Sequence, residues 1–384
     1  MNRERTDDRA HMASPRGSAL LKRLDRFAGI ALLAPFALQP KRRRLDRESI
    51  RRIGLLKSAA IGDTLLLAGL LTDLRRAYPH ATIVFITGPD NRSAAELLPG
   101  RADEHLVVSP REPLAAVRAI RGADLDVLLD LGAWPRFDAL LAALSGARTR
   151  VGFRTLGQHR HFGFDHTVLH SAEVHERENY IRLLGQIGVQ VSAPAEIVPP
   201  NLLADYPPAS YAVFHPWSSG YMHHVKEWSV DRWCDLAAEL TSRELTIVLS
   251  GGRSEVAKTQ ALADALRVRG ADVVNAAGRY TLPELADLLF KAEVVVSVNT
   301  GIMHLAGLVG ARTVSLEGPT PPRRWGPLGP RTRSVVSAYS GSGYLNLGFE
   351  YAGNRHDCMD GITVDAVLHA IEELMNEGAA LRPD

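Results

Sequence analysis

Short apolar runs alternate with helical patterns in two series along this chain, and a proline-rich stretch separates them. In the first series "IGLLK" (53–57), "ATIVFIT" (81–87) and "LDVLLDL" (125–131) read as buried strands. Between them "DTLLLAGLLTDLRRAYP" sets Leu66, Leu67, Leu70, Leu71 and Leu74 on one helical face, and Pro79 stops the helix. The second series runs "YAVFH" (211–215), "LTIVLS" (245–250), "DVVNA" (272–276), "VVVSV" (294–298) and "RTVSL" (312–316), each followed by a helical pattern except the last. Thr281-Leu282-Pro283-Glu284 is a capping box with proline in the first turn. A last amphipathic helix is expected near Val364 to Asn376. Strands alternating with helices imply βαβ units and parallel sheets covered on both faces. The sequence therefore predicts an α/β fold of two doubly wound halves, residues 51–190 and 211–360. Residues 191–210 form a stiff linker and residues 361–384 a final helix and tail.

In such sheets ligands bind beyond the carboxyl ends of the strands. After the first strand, Lys57 closes the apolar run and Gly62-Asp63-Thr64 opens a helix. This is neither GxGxxG nor a Walker loop. Asp63 is either a helix N-cap or a carboxylate at the cleft able to take a proton. After "YAVFH", a polar loop leads to Lys226, either a solvated lysine or a cation aimed at a phosphate. The adjacent His223 and His224 lack the spacing of a metal site, and no metal or cofactor is expected. After "LTIVLS", Ser254 or Glu255 caps the next helix, and Glu255 has the chemistry to accept from ribose hydroxyls. After "VVVSV", Asn299, Thr300 and Gly301 begin a helix that carries His304 in its first turn. Free N–H groups and the positive dipole end make such a start an anion site. Several such tips in one half point to a nucleotide diphosphate. The stretch "ARTRVGFRTLGQHRHFGFDHTV" (147–168) carries Arg150, Arg154, His159 and Arg160, either a solvated loop or a basic surface for an acidic acceptor.

A net charge of +2 gives no nucleic-acid footprint. Two cysteines make no disulfide framework, which fits a reducing cytoplasm. Residues 1–50 stand outside the alternation. The first eighteen are polar and expected to be disordered. The apolar run from Phe27 to Leu38 lies between basic clusters and is too short to span a bilayer. Residues 20–44 read either as a helix packed on the body or as an interfacial anchor on an anionic membrane surface.

The segments "KSAAIGDTLLLAGLLTDLRRAYPHATI", "HP…K.WS.DRW", "AAGRYTLPELADLLFKAEVVVSVNTGIMHLAGLVGARTVSLEGPTPPRRWGP" and "CMDGITVDAVLHAIEEL" resemble glycosyltransferase family 9, the lipopolysaccharide heptosyltransferases and their relatives. The resemblance implies a GT-B fold, two Rossmann-like domains with the active site in the cleft between them. It implies inverting, metal-independent transfer from a nucleotide-sugar donor, typically ADP-heptose, to a glycan or glycolipid acceptor such as lipopolysaccharide core. Asp63 matches the general base and Lys226 the lysine on the donor phosphates. Thr300, Gly301 and His304 match the "DTGxxHLA" motif at the pyrophosphate, and Glu255 falls near the acidic residue on the donor ribose. Two positions depart from the family pattern: Asn299 stands where the motif has Asp, and Glu317 where an apolar residue is usual. The rival readings are another GT-B enzyme such as an epimerase, and a non-catalytic nucleotide-sugar-binding protein at the membrane.

Overall fold

The first series of apolar runs folds into six parallel strands, β1 Arg52–Lys57, β2 Thr82–Thr87, β3 Glu104–Val107, β4 Val127–Asp130, β5 Thr149–Arg154 and β6 His166–Leu169, in the order β3-β2-β1-β4-β5-β6. The second series gives β7 Tyr211–His215, β8 Thr246–Leu249, β9 Val273–Asn275, β10 Val294–Val298, β11 Thr313–Glu317 and β12 Thr332–Val336, in the order β12-β11-β10-β7-β8-β9. Both halves have the same wiring, with the order reversing beside the first strand. The two crevices for a ligand are therefore at the carboxyl ends of β1 and β4 and of β7 and β10. The central strands are almost wholly buried, as continuous apolar runs in a doubly covered parallel sheet should be. In this computed structural model residues 19–41, 46–207, 210–220, 222–348 and 350–379 are described. The tail 1–18 and the basic residues 42–44 lie outside the described residues.

The helices are α1 Ala19–Leu33, α2 Ile61–Leu65, α3 Leu70–Ala77, α4 Arg92–Glu96, α5 Pro113–Gly122, α6 Arg136–Leu144, α7 Glu176–Gly185, α8 Val230–Ser242, α9 Val256–Val268, α10 Leu282–Lys291, α11 Gly301–Leu308, α12 Pro322–Trp325 and α13 Val364–Ala379. The helix expected after β1 is in fact two. The leucine stripe is buried as its spacing requires, but the chain breaks between Leu65 and Leu70. Gly69 sits at φ +78°, and a Cβ there would lie 2.3 Å from the Pro194 carbonyl oxygen. Arg177 of α7 donates to the Leu66 and Ala68 carbonyls that the break leaves free.

The stretch 147–168 is not a solvated loop. It holds β5, β6 and the 3-10 turn Arg160–Gly163. Arg150 lies near the amino end of β5, away from the crevice, and forms a two-point ion pair with Asp165 at 2.9 and 3.0 Å. Arg160 is fully buried and bonds Asp130 and the Pro135 carbonyl. Neither belongs to an open basic surface. A guanidinium stays inside only when paired, and the partners, Asp165 and Asp130, are 15 and 30 residues away from these arginines in sequence.

Among its described residues the linker carries no regular element, but each half holds one end of it with a buried aspartate. Asp73 of α3 accepts from the Ser192 and Ala193 amides at 2.9 and 2.8 Å. Asp287 of α10 accepts from the Asn201 and Leu203 amides at 2.8 and 2.9 Å.

Helix α1 packs against α6. Asp25 accepts from the Phe137 amide at 2.9 Å and so caps α6 from outside. Gly29 lies against the Arg136 side chain, where a Cβ would come within 2.7 Å, and Leu33 is fully buried. Lys41 donates to the Phe162 carbonyl at 2.6 Å. The packed-helix reading is thus realised, yet Phe27 (75% exposed), Leu32 and Leu38 (89%) remain outside. Among the described residues no helix is long and apolar enough to cross a membrane. Leu33→Ala should lower the unfolding free energy by about 2–4 kcal/mol, while Leu38→Ala should change it by less than about 0.5 kcal/mol. Paired urea melts check both.

Candidate functional site

The two crevices face one another. A Cβ on Gly62 would lie 3.0 Å from the Gly301 Cα, and one on Gly301 would lie 2.9 Å from the Gly62 nitrogen. Only glycine at both positions lets the start of α2 meet the start of α11 backbone to backbone. This contact brings the short helix that carries Asp63 against the first turn of α11.

Asp63 lies inside the first turn of α2 and caps nothing; the N-cap position belongs to Ala60, held at φ +72° and ψ 111°. A non-glycine residue in that region is strained. The Asp63 carboxylate instead receives Lys57 Nζ at 2.9 Å, from the last residue of β1. The lysine is almost buried, while the aspartate keeps about a quarter of its side chain exposed. Behind them Ser58 Oγ donates to Asp138 at 2.7 Å, and Arg160 holds Asp130. Burial, then the neighbouring Asp130 charge, push the Asp138 carboxyl up to about 7.

In the second half Thr300 is the N-cap of α11, its hydroxyl accepting from the Ile302 amide at 3.2 Å. His304 is buried on the first turn, and its Nδ1 has no partner among the described residues. Burial and the nearby His175 drive its pKa down to about 3, so the ring is neutral. His215, at the end of β7, shares a 2.9 Å hydrogen bond with Ser250 and is also driven to about 3, by burial and then Lys258.

Lys226 ends the 3-10 turn His223–Lys226. Burial lowers its pKa, opposed by Glu317, Glu227 and Asp63. It makes no ion pair or hydrogen bond among the described residues, although each of those carboxylates has other partners. A cation held inside the cleft without a counterion invites an anion. Asn299, between β10 and Thr300, donates from Nδ2 to both oxygens of Glu317 at 3.0 and 2.9 Å and to the Trp325 carbonyl at 3.0 Å. Both departures from the family pattern thus touch each other.

At the end of β8, Glu255 accepts from the Gly252 amide at 2.8 Å and caps its own turn, with Ser254 exposed beside it. Lys258 reaches toward Glu255 at 3.5 Å and lies 4.3 Å over the Trp217 ring. Of the basic residues in the first half, Arg154 and His159 are exposed, and Arg154 closes β5 on the same sheet edge as Asp63.

A buried bridge between the halves was not legible in the sequence. Arg324 of α12, fully buried, meets Glu176 of α7 at 2.8 Å, and Glu176 also meets His170 at 3.0 Å. Burial works to raise the Glu176 carboxyl, but the His170 hydrogen bond and charge and the Arg324 charge overcome it and hold the group at about 2. The His175 ring bonds the Gly326 carbonyl at 3.1 Å across the same seam. The charged residues in "PPRRWGP" and "SAEVHERE" were visible, but 148 residues separate the partners.

Two Rossmann-type halves with facing switch points make a GT-B type of fold. The chain belongs to glycosyltransferase family 9 (heptosyltransferase), whose model matches residues 114–344. It is 26% identical over 152 residues to a lipooligosaccharide heptosyltransferase 2 of Haemophilus influenzae, covering 39% of this chain and 44% of that protein. It is 35% identical over 98 residues to a lipopolysaccharide heptosyltransferase 1 of Salmonella typhimurium, covering 25% of this chain and 29% of that one. The matches span less than half the length of these relatives. In fold it is similar to the E. coli ADP-heptose lps heptosyltransferase II, with a TM-score of 0.68 and 20% identity over 86% of this chain and 100% of the other. It is also similar to the E. coli heptosyltransferase WaaC with ADP, at 0.66 and 20% identity over 84% and 99%.

The buried histidines give a pH signature. Their folded pKa values lie below the ordinary 6.5, so their contribution to stability is complete above pH 6.5 and is lost as pH falls toward 3. His304→Gln should therefore lose less stability than the parent between pH 6.5 and pH 4, measured as the difference in Tm across that range.

Proposed function

We propose that this chain is an inverting glycosyltransferase that moves a heptose from ADP-heptose to a sugar of a lipopolysaccharide core. The observation that carries the reading is the contact of Gly62, next to Asp63, with Gly301 at the start of α11, together with Lys226, which has no partner among the described residues. Family membership supports the reaction class. The names of the relatives and the solved heptosyltransferases described with ADP-heptose and with ADP support this donor.

The donor diphosphate would lie against the amides at Thr300 and Gly301, with Lys226 opposite. Both supply positive charge where the leaving diphosphate gains negative charge, which is where electrostatic catalysis acts. Glu255 would take the ribose hydroxyls. The acceptor hydroxyl gives its proton to Asp63 Oδ and attacks the anomeric carbon from the face opposite the diphosphate. One C–O bond forms as the other breaks, through an oxocarbenium-like transition state. Lys57 fixes the Asp63 side chain for this step. Arg154 and His159 are the exposed basic groups left to meet an acidic acceptor.

Asp63→Asn keeps the shape and removes the basic site, and should cost about 10²–10⁴ in kcat. Its ADP affinity should match the parent's, because the diphosphate contacts belong to the other half. Lys226→Ala should show the reverse pattern, with ADP binding weakened by about 1.5–3 kcal/mol in calorimetry. Near-parental turnover in Asp63→Asn would remove Asp63 as the base.

The exposed apolar residues of α1 and the turn after it fit a membrane whose glycolipid is the acceptor, with the flanking basic residues on anionic headgroups. A variant with Phe27 and Leu38 changed to Ser should stay folded and lose cosedimentation with vesicles containing phosphatidylglycerol. Unchanged cosedimentation would exclude this face.

A further inference from the structure

Glu317 ends β11 and is 1% exposed. It accepts from Asn299 at both oxygens and from Thr320 Oγ1 at 2.7 Å, all neutral donors. No cation stands within ion-pair distance of it among the described residues. Lys226, from the turn before α8, is the charge that acts on it. The other ionisable groups around the pair are spoken for: Arg324 of α12 is bonded to Glu176, His304 of α11 is neutral, Glu227 is bonded to His223 and Asp63 to Lys57. Asn299 directly precedes the N-cap Thr300, so the carboxyl group lies one residue behind the α11 anion site.

A carboxylate buried without a counterion is costly. Here burial pushes the group up to about 7, against the hydrogen bonds of Thr320, Asn299 and Ser315 and the charge of Lys226. Near neutrality both protonation states are populated in the free protein. A nucleotide-sugar diphosphate brings two negative charges to the adjoining site and draws the field of Lys226 to itself. Each effect disfavours the anionic carboxylate.

We propose that Glu317 is the proton-linked group of the donor site: the donor enters with uptake of a proton onto its carboxyl group, and departure of the diphosphate releases it. This rests on the donor site proposed above. The proton comes from solvent and no bond of the sugar is involved, so the balance is one proton gained per donor bound. Protonated Glu317 keeps Asn299 and Thr320 in place while presenting no opposing charge. The site therefore favours diphosphates when Glu317 is neutral and weakens as pH rises.

The test is calorimetric titration with ADP-heptose, whose two phosphates have no group titrating near neutrality. Measurements in buffers of different ionisation enthalpy count the protons taken up. At pH 8 the parent should take up roughly half to one proton, and its affinity should fall up to about tenfold per pH unit above 7. Glu317→Gln should bind without proton uptake and with nearly constant affinity from pH 6 to pH 9. Binding by the parent without uptake, or equal uptake by Glu317→Gln, overturns the proposal and leaves the donor site standing. No binding of ADP-heptose, GDP-heptose or ADP overturns both. If Glu317→Gln does not fold, difference infrared spectroscopy of the parent decides instead. A protonated-carboxyl band that grows on ADP-heptose binding supports the proposal, and its absence overturns it.

Discussion

The backbone contact between Gly62 and Gly301 governs the rest of the molecule. Two parallel sheets with the same wiring each offer a crevice, but a crevice in one half has only half the chemistry. The first half brings a carboxylate at Asp63 and the second brings a helix start and a lysine. They serve one reaction only if the tips approach to within a few ångströms. A single methyl at either position would collide with backbone, which cannot move aside as a side chain can.

That approach has to be held from elsewhere, because two helix starts present like partial charges to each other. The Arg324–Glu176–His170 bridge supplies it on one flank, with Glu176 kept ionised by its partners against its burial. The linker supplies it on another, where Asp73 and Asp287 take up backbone amides that an irregular segment would otherwise leave unpaired. Breaking any of these leaves a buried charge or amide unmatched, which costs more than the contact itself contributes.

The fold was largely legible because buried parallel strands announce themselves as apolar runs. All eight expected strands are present within a residue or two of their expected bounds. The four that were missed lie toward the sheet edges and carry charge: Glu104 and His105 in β3, Arg150 in β5, His166 in β6, Arg333 in β12. The split between α2 and α3 was hidden because its cause is the linker packing on Gly69, more than a hundred residues away. At the site, the tips Asp63, Lys226, Thr300 and Gly301 were visible from their places after strands. Their partners were not. Lys57 reads as the last residue of a strand, and nothing local says that its charge meets Asp63. Arg150 and Arg160 read as surface because arginine usually is; their aspartates became neighbours only through the β4–β5–β6 pairing.

The two halves treat buried carboxyl groups alike. Behind Asp63 the charges of Lys57 and Arg160 are matched by Asp63 and Asp130, so Asp138 is left with Ser58 and no cation of its own. Behind Thr300, Glu317 is left with Asn299 and Thr320. Both stand near 7 for the same first reason, burial without a dedicated counterion. The difference lies in what adjoins them. Asp138 faces a cluster whose charges already cancel, so a proton moving there changes only local balance. Glu317 shares the field of Lys226, a cation without a partner among the described residues. In the donor site proposed above, a carboxyl group whose only opposing charge is also the charge that the diphosphate would use responds when the diphosphate arrives. The Asn299–Glu317 pair therefore bears on donor binding in that proposed site and on the fold alike, since a carboxyl group raised from 4.5 to about 7 lowers stability as pH rises through that range.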